Sequence, residues 1–242
     1  MRQVYSIPVA NDIGERLLQF SFLKTMTNSK DIHDKARARA KKIKLVLLDV
    51  DGVMTDGTIF LFPAPPGAQQ SVRQQAEARA DHGGFGIASD AVVEAKGFNA
   101  HDGTAMSLAR NAGLKTGIIT KRISETVRLR ARDLKVDYVY QGAHDKLTVF
   151  REILAKEGIT AEQVAYVGDD IIDLPVMREV GLAIAVANAR EDVKDESHVI
   201  TDHRGGEGAV RDAIEFILKA QGKYEEAVAE YIQQRTPSPK AD

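Results

Sequence analysis

The chain has no cysteine and no tryptophan, and aromatic residues make up only 6% of its 242 positions. Without thiols it has no disulfides, no thiolate metal sites and no cysteine nucleophile, so a metal would be held by oxygen or imidazole. A formal net charge of −2 supplies no global basic field, which argues against nucleic acid as the main partner. No apolar run approaches membrane-spanning length and the first residues lack a signal peptide's apolar stretch, so a cytoplasmic enzyme without a membrane partner is expected. What is present is ordinary for a soluble fold: 43% apolar and 28% charged residues, in a chain long enough for one full α/β core.

From Lys44 onward the pattern is regular. Leu45-Val46-Leu47-Leu48 is a continuous apolar run, as expected of a strand buried on both faces of a parallel sheet. Similar runs recur at Thr116–Ile119, Val136–Tyr140, Val164–Val167 and Leu182–Val186. Between them lie helical stretches: Thr104–Ala112 before Gly113, Ile123–Leu134, a Leu147/Phe150/Leu154 stripe before Gly158, and Val210, Ile214, Ile217 and Leu218 before Gly222. This alternation predicts an α/β, Rossmann-like three-layer sandwich with a parallel central sheet and right-handed crossovers. Ligands of such sheets bind outside the carboxyl ends of the strands.

The alternation breaks after the first strand. Thr58–Phe62 and Val92–Phe98 read as a β-hairpin flap, and the insertion between them, around 63–90, reads as a lid too short to be a separate cap domain. The expected organisation is an N-terminal extension and lead-in helix over 1–42, a main α/β domain over 43–222 with its flap and insertion at about 58–98, and a C-terminal tail over 223–242.

Each predicted strand end carries a reactive group. The first delivers Asp49-Val50-Asp51-Gly52-Val53, the second Thr120, and the fourth Gly168-Asp169-Asp170 followed by Asp173; Lys146 opens the helix after the third. Carboxylates converging on one sheet edge repel one another and need a compensating cation. An all-oxygen donor set selects a hard one, Mg²⁺ before Ca²⁺. These parts suit phosphate monoester hydrolysis, in which positioning and charge neutralisation carry most of the catalysis. Asp49 is the expected nucleophile and Asp51, on the same face of an extended segment, its acid–base partner. Asp49, Asp51 (through a backbone carbonyl) and Asp169 are the expected metal ligands, with Asp170 and Asp173 as candidates to orient the metal and Lys146. Thr120, Lys146 and the N–H groups of Gly52 and Val53 are assigned to the phosphoryl oxygens. Arg122 is assigned to the rest of the substrate.

The run Asp49-Val50-Asp51-Gly52-Val53-Met54-Thr55-Asp56-Gly57 resembles the first motif of haloacid dehalogenase (HAD) superfamily phosphatases. Through Phe98-Asn99, Asp102-Gly103, Ile119-Thr120, Tyr140-Gln141-Gly142, Lys146, Gly168 to Met177 and Gly208 to Arg211 it is similar to the capless subfamily acting on 3-deoxy-D-manno-octulosonate 8-phosphate (KDO 8-phosphate). The resemblance covers roughly 43–222. It implies a phosphorylated sugar-acid substrate, Mg²⁺ dependence, a homotetramer and a place in lipopolysaccharide precursor synthesis. Two departures stand out: Lys121 replaces the glycine usual between Thr120 and Arg122, and the insertion at 63–90 lies where capped relatives insert a cap. A related nine-carbon sugar-acid phosphate is the alternative substrate. A phospho-receiver domain is the alternative of another class, disfavoured because its phosphorylated aspartate ends the third strand, where this chain has Tyr140-Gln141-Gly142.

Overall fold

In the computed structural model of the protein the described residues are 33–64, 85–86 and 92–236. The chain divides into two compact units, 1–35 and 36–242. The expected N-terminal appendage lies almost wholly outside the described residues, as do most of the insertion and the residues after 236.

The larger unit is built on a six-stranded parallel sheet of β1 (Leu45–Leu48), β5 (Lys115–Thr120), β7 (Tyr138–Gln141), β8 (Val164–Gly168), β9 (Leu182–Ala185) and the short β10 (Val199–Ile200). The spatial order is β10-β9-β8-β1-β5-β7. Read from the other edge this is the doubly wound order 3-2-1-4-5-6, which differs from the 2-1-3-4-5 order of receiver domains. The order reverses between β1 and β8, so the carboxyl ends of these two strands flank the crevice where such sheets bind ligands. Every residue of β1 is buried, which explains an apolar run without alternation.

Helices α1 (Ala100–Asn111), α2 (Glu125–Leu134), α3 (Lys146–Glu157), α4 (Leu174–Met177), α5 (Glu191–Asp195) and α6 (Ala209–Ala220) flank the sheet. Local chemistry sets their ends. The Asn99 side chain accepts the His101 N–H at 2.8 Å, which starts α1 four residues before the expected Thr104. Asp145 accepts the N–H groups of Leu147 and Thr148, both at 3.1 Å, and α3 stops at Gly158 with φ 63°.

Residues 224–233, read from sequence as tail, instead form α7 (Tyr224–Gln233), which packs against α1 and α6. Its buried face is Ala227 with the partly buried Tyr224, Val228 and Tyr231, a stripe too thin to stand out in the sequence.

The flap pairs β2 (Phe60–Pro63) with β4 (Val92–Ala95) in antiparallel fashion, Pro63 opposite Val92. Residues 64–91 therefore leave and re-enter the hairpin at one point. From within them, β3 (Phe85–Gly86) runs parallel to β6 (Arg122–Ile123), the short strand just after β5, with Phe85 opposite Arg122.

Candidate active site

The carboxyl ends of β1, β5 and β8, together with the loop after β8, line a cleft of about 230 Å³. Its walls include Asp49, Asp51, Thr120, Lys121, Arg122 and Asp169. A larger open groove of about 1000 Å³, among Lys41, Lys44, Thr160 and Lys223, lies near the amino ends of β1 and β8 and carries no strand-end carboxylate.

Asp49 directly follows β1, its N–H held by the Val167 carbonyl at 3.1 Å, so the sheet itself fixes its backbone. Its carboxylate is buried, with Oδ2 3.0 Å from Lys146 Nζ. Lys146, first residue of α3 and also buried, bridges to Asp173 Oδ1 at 2.7 Å. Asp173 is fully buried and its acceptors are committed: Oδ1 also takes the Tyr166 hydroxyl at 2.7 Å, and Oδ2 takes the N–H groups of Asp169 and Asp170 at 3.0 and 3.3 Å. The carboxylate thus orients both the lysine and the loop that carries Asp169.

Asp49, Asp169 and Asp173 lie close enough to share a metal ion. The Asp51 carboxylate is not in that group, and it points instead to Lys96 and Arg122. Burial pushes the Asp49 carboxyl up to about 7; the neighbouring Asp173 charge adds to this and Lys146 opposes it. Asp169 is pushed up to about 8, again by burial first and then by Asp49 and Asp173. Burial works against the Lys146 charge, but Asp49 and Asp173 outweigh it and hold the ammonium above its ordinary value. One lysine does not neutralise three carboxylates. With no hydrogen-bond partner at the buried Asp169 Oδ1, the donor set fits a hard divalent cation.

Asp51 sits in a ring of alternating charge. Lys96 Nζ contacts Asp51 Oδ1 and lies 3.5 Å from Glu94 Oε1; Arg122 Nε lies 3.6 Å from Asp51 Oδ2 and its Nη2 3.4 Å from Glu94 Oε2. The Lys96 side chain is fully buried. The flap strand β4 and the β6 segment thus meet at the second aspartate. Thr120 is the buried last residue of β5, its hydroxyl accepting the Arg122 N–H at 3.4 Å.

The expected residues do not all converge. Gly52 lies against Asp169, whereas the Val53 N–H donates to the Val50 carbonyl at 3.2 Å, which commits it to the turn. Asp170 lines the cleft but does not reach Lys146; it accepts the Ile171 N–H at 2.8 Å. The turn after β1 is shaped by close backbone approach. Gly52 has φ 88°, and a Cβ there would lie 2.1 Å from Asp169 Oδ2. The Asn188 side chain clamps it, donating to the Gly52 carbonyl at 3.1 Å and accepting the Gly205 N–H at 2.6 Å.

Residues 114–214 match the family model of haloacid dehalogenase-like hydrolases. The 3-deoxy-D-manno-octulosonate 8-phosphate phosphatase KdsC of Escherichia coli K12 is 37% identical over 195 residues, 81% of this chain and 89% of that protein. The chain belongs to the KdsC family of HAD phosphatases. Like its relatives, this phosphatase is a hydrolase of phosphoric monoesters. The Yersinia pestis enzyme of the same name superimposes with a TM-score of 0.66 at 38% identity, covering 79% of this chain and 89% of its own. The Moraxella catarrhalis enzyme, solved with magnesium, phosphate and KDO, gives 0.68 at 34% identity, covering 82% and 98%. Lys96, Glu94, Tyr166 and Asn188 also belong to the site, and no motif in the sequence marks them.

Proposed function

We propose that this phosphatase hydrolyses KDO 8-phosphate to the free sugar acid and phosphate through an aspartyl-phosphate on Asp49, a cytoplasmic step supplying lipopolysaccharide synthesis. The observation that carries the reading is the buried Asp49 carboxylate, one oxygen held by Lys146 at 3.0 Å, beside Asp169 at the strand-order reversal. Asp49 attacks phosphorus as the bond to the sugar oxygen breaks, and Asp51 gives that alkoxide a proton. Asp51 then takes a proton from the water that attacks the aspartyl-phosphate, and the Asp49 carboxylate is released. Lys146 and Thr120 hold the phosphoryl oxygens, and Arg122 meets the substrate's carboxylate or sugar.

Asp49, Asp169 and the main-chain carbonyl of Asp51 are the residues that would hold Mg²⁺, since Asp173 is already committed to Lys146, Tyr166 and two N–H groups. When bound, the ion supplies the positive charge that lets a carboxylate approach a phosphate. Phosphate release from a panel of sugar-acid phosphates and generic esters, with and without Mg²⁺, tests this reading. Asp49→Asn is expected to lose about 10³-fold or more in kcat. Activity untouched by that substitution overturns the covalent route, and a kcat/KM on the eight-carbon acid no better than on generic esters overturns the substrate.

A homotetramer belongs to the same proposal. Phe60, Leu61 and Phe62 are 47–53% exposed in succession on β2, an apolar run of the kind that marks a contact with a second copy of the chain. Light scattering is expected to give the mass of four chains, and Leu61→Asp with Phe62→Asp a smaller one. A wild-type monomer rules the assembly out.

A further inference from the structure

The segment between the flap strands returns to the cleft at one described place, where Phe85–Gly86 pairs with Arg122–Ile123. That pairing falls on the residues that follow Thr120 and Lys121. Both Lys121 and Arg122 line the cleft, which places two cationic side chains on one short stretch of its wall. Elsewhere the β6 backbone is held by the Thr120 hydroxyl, which accepts the Arg122 N–H at 3.4 Å, and by the Gly142 N–H, which reaches the Arg122 carbonyl at 3.4 Å. Lys121 needs no left-handed backbone, for Lys135 alone among the described non-glycine residues has positive φ. A lysine can therefore stand in this turn without strain, provided the turn is held in place.

We propose that the β3–β6 pair is a positioning device that fixes Lys121 and Arg122 as a two-cation receptor for the carboxylate of an anionic phosphate ester. It rests on the functional reading above and adds a source of selectivity: substrates bearing a second anionic group are favoured over plain esters. The physical reason is register. A two-residue parallel pairing has few hydrogen bonds, but it sets the height of the Arg122 backbone against the cleft, and hence where both cations present their charge. Arg122 reaches Asp51 and Glu94 from that position, so the receptor adjoins the second aspartate.

The hairpin geometry makes a clean test possible. Because Pro63 faces Val92, residues 64–91 can be replaced by Asn-Gly, the preferred two-residue hairpin turn, with β2–β4 register kept. Hydrogen exchange of a peptide spanning 121–124 is measured first, in wild type and the shortened chain; protection is expected to fall on shortening, and equal protection overturns the pinning. KM and kcat are then measured on KDO 8-phosphate and on p-nitrophenyl phosphate, in wild type, the shortened chain, Lys121→Gln and the combination. The shortened chain is expected to show about five-fold or higher KM for the sugar acid, with kcat/KM on p-nitrophenyl phosphate within about two-fold of wild type. Lys121→Gln is expected to cost less in the shortened chain than in the full one, the non-additivity of coupled parts. Equal losses on both esters, or strictly additive effects, overturn the receptor. If wild type hydrolyses neither ester, the functional reading fails, and the exchange measurement still decides the pinning.

Discussion

Asp173 reaches no cleft wall, yet four donors converge on it: Lys146, the Tyr166 hydroxyl and the N–H groups of Asp169 and Asp170. An amide at this position would turn its own N–H groups toward one of these donor pairs, so charge and geometry are lost together. Asp173→Asn is expected to destabilise the protein by about 3–5 kcal/mol, as breaking a buried ion pair does. Denaturant unfolding checks it, and a variant as stable as wild type would mean that Asp49 alone suffices to pair the buried Lys146. Asp49, Asp51, Thr120 and Asp169 were legible because each sits at or just past a run of buried strand, and Lys146 because it opens the helix that follows one. Lys96, Glu94 and Asn188 were not. They arrive by tertiary approach from the flap and from beyond β9, and a single lysine or asparagine carries no periodicity to betray it.

Among the elements, the turn after β1 is the most tightly boxed. Its Gly52 carbonyl is held by Asn188, and Gly205 packs so close that a Cβ would lie 1.8 Å from that same oxygen. Gly205→Ala is expected to push the turn away from Asp169, costing about 1–3 kcal/mol or more and lowering kcat with it. Thermal unfolding and a rate measurement check both, and a wild-type melting point would show that the 205–208 loop yields freely. The core strands and the long helices were readable from apolar runs and glycine stops. β3 and β6 were not, being two residues each and held by partners distant in sequence. Ile123 was assigned to the helix that in fact begins at Glu125.

For the molecule as a whole the acidic cleft links stability to pH and to cations. The folded values of Asp49 and Asp169, about 7 and about 8, exceed the ordinary 3.8, so the folded state binds more protons between pH 4 and 8 than the unfolded chain does. The stability contributed by these groups is complete below about pH 4 and is lost as pH rises through their folded values. A divalent cation replaces those protons. In chelator, the melting temperature of wild type relative to Asp169→Asn is expected to fall from pH 5 to pH 8, and Mg²⁺ is expected to raise wild type more at pH 8 than at pH 5. An Mg²⁺ shift independent of pH would place the ion elsewhere.

The central position of β1 also has a consequence in time. Its hydrogen-bonding neighbours are residues 115–118 on one side and 164–167 on the other. At roughly 5–20 residues per second a ribosome needs on the order of ten seconds to travel from Asp49 to Asp169. Until residues 115–118 emerge Leu45–Leu48 has no strand to pair with, and until 164–167 emerge one of its edges stays open. The nucleophile is the first part of the centre to be made, and the centre closes only when about half of the chain has followed, so chaperone demand during synthesis is written into the strand order.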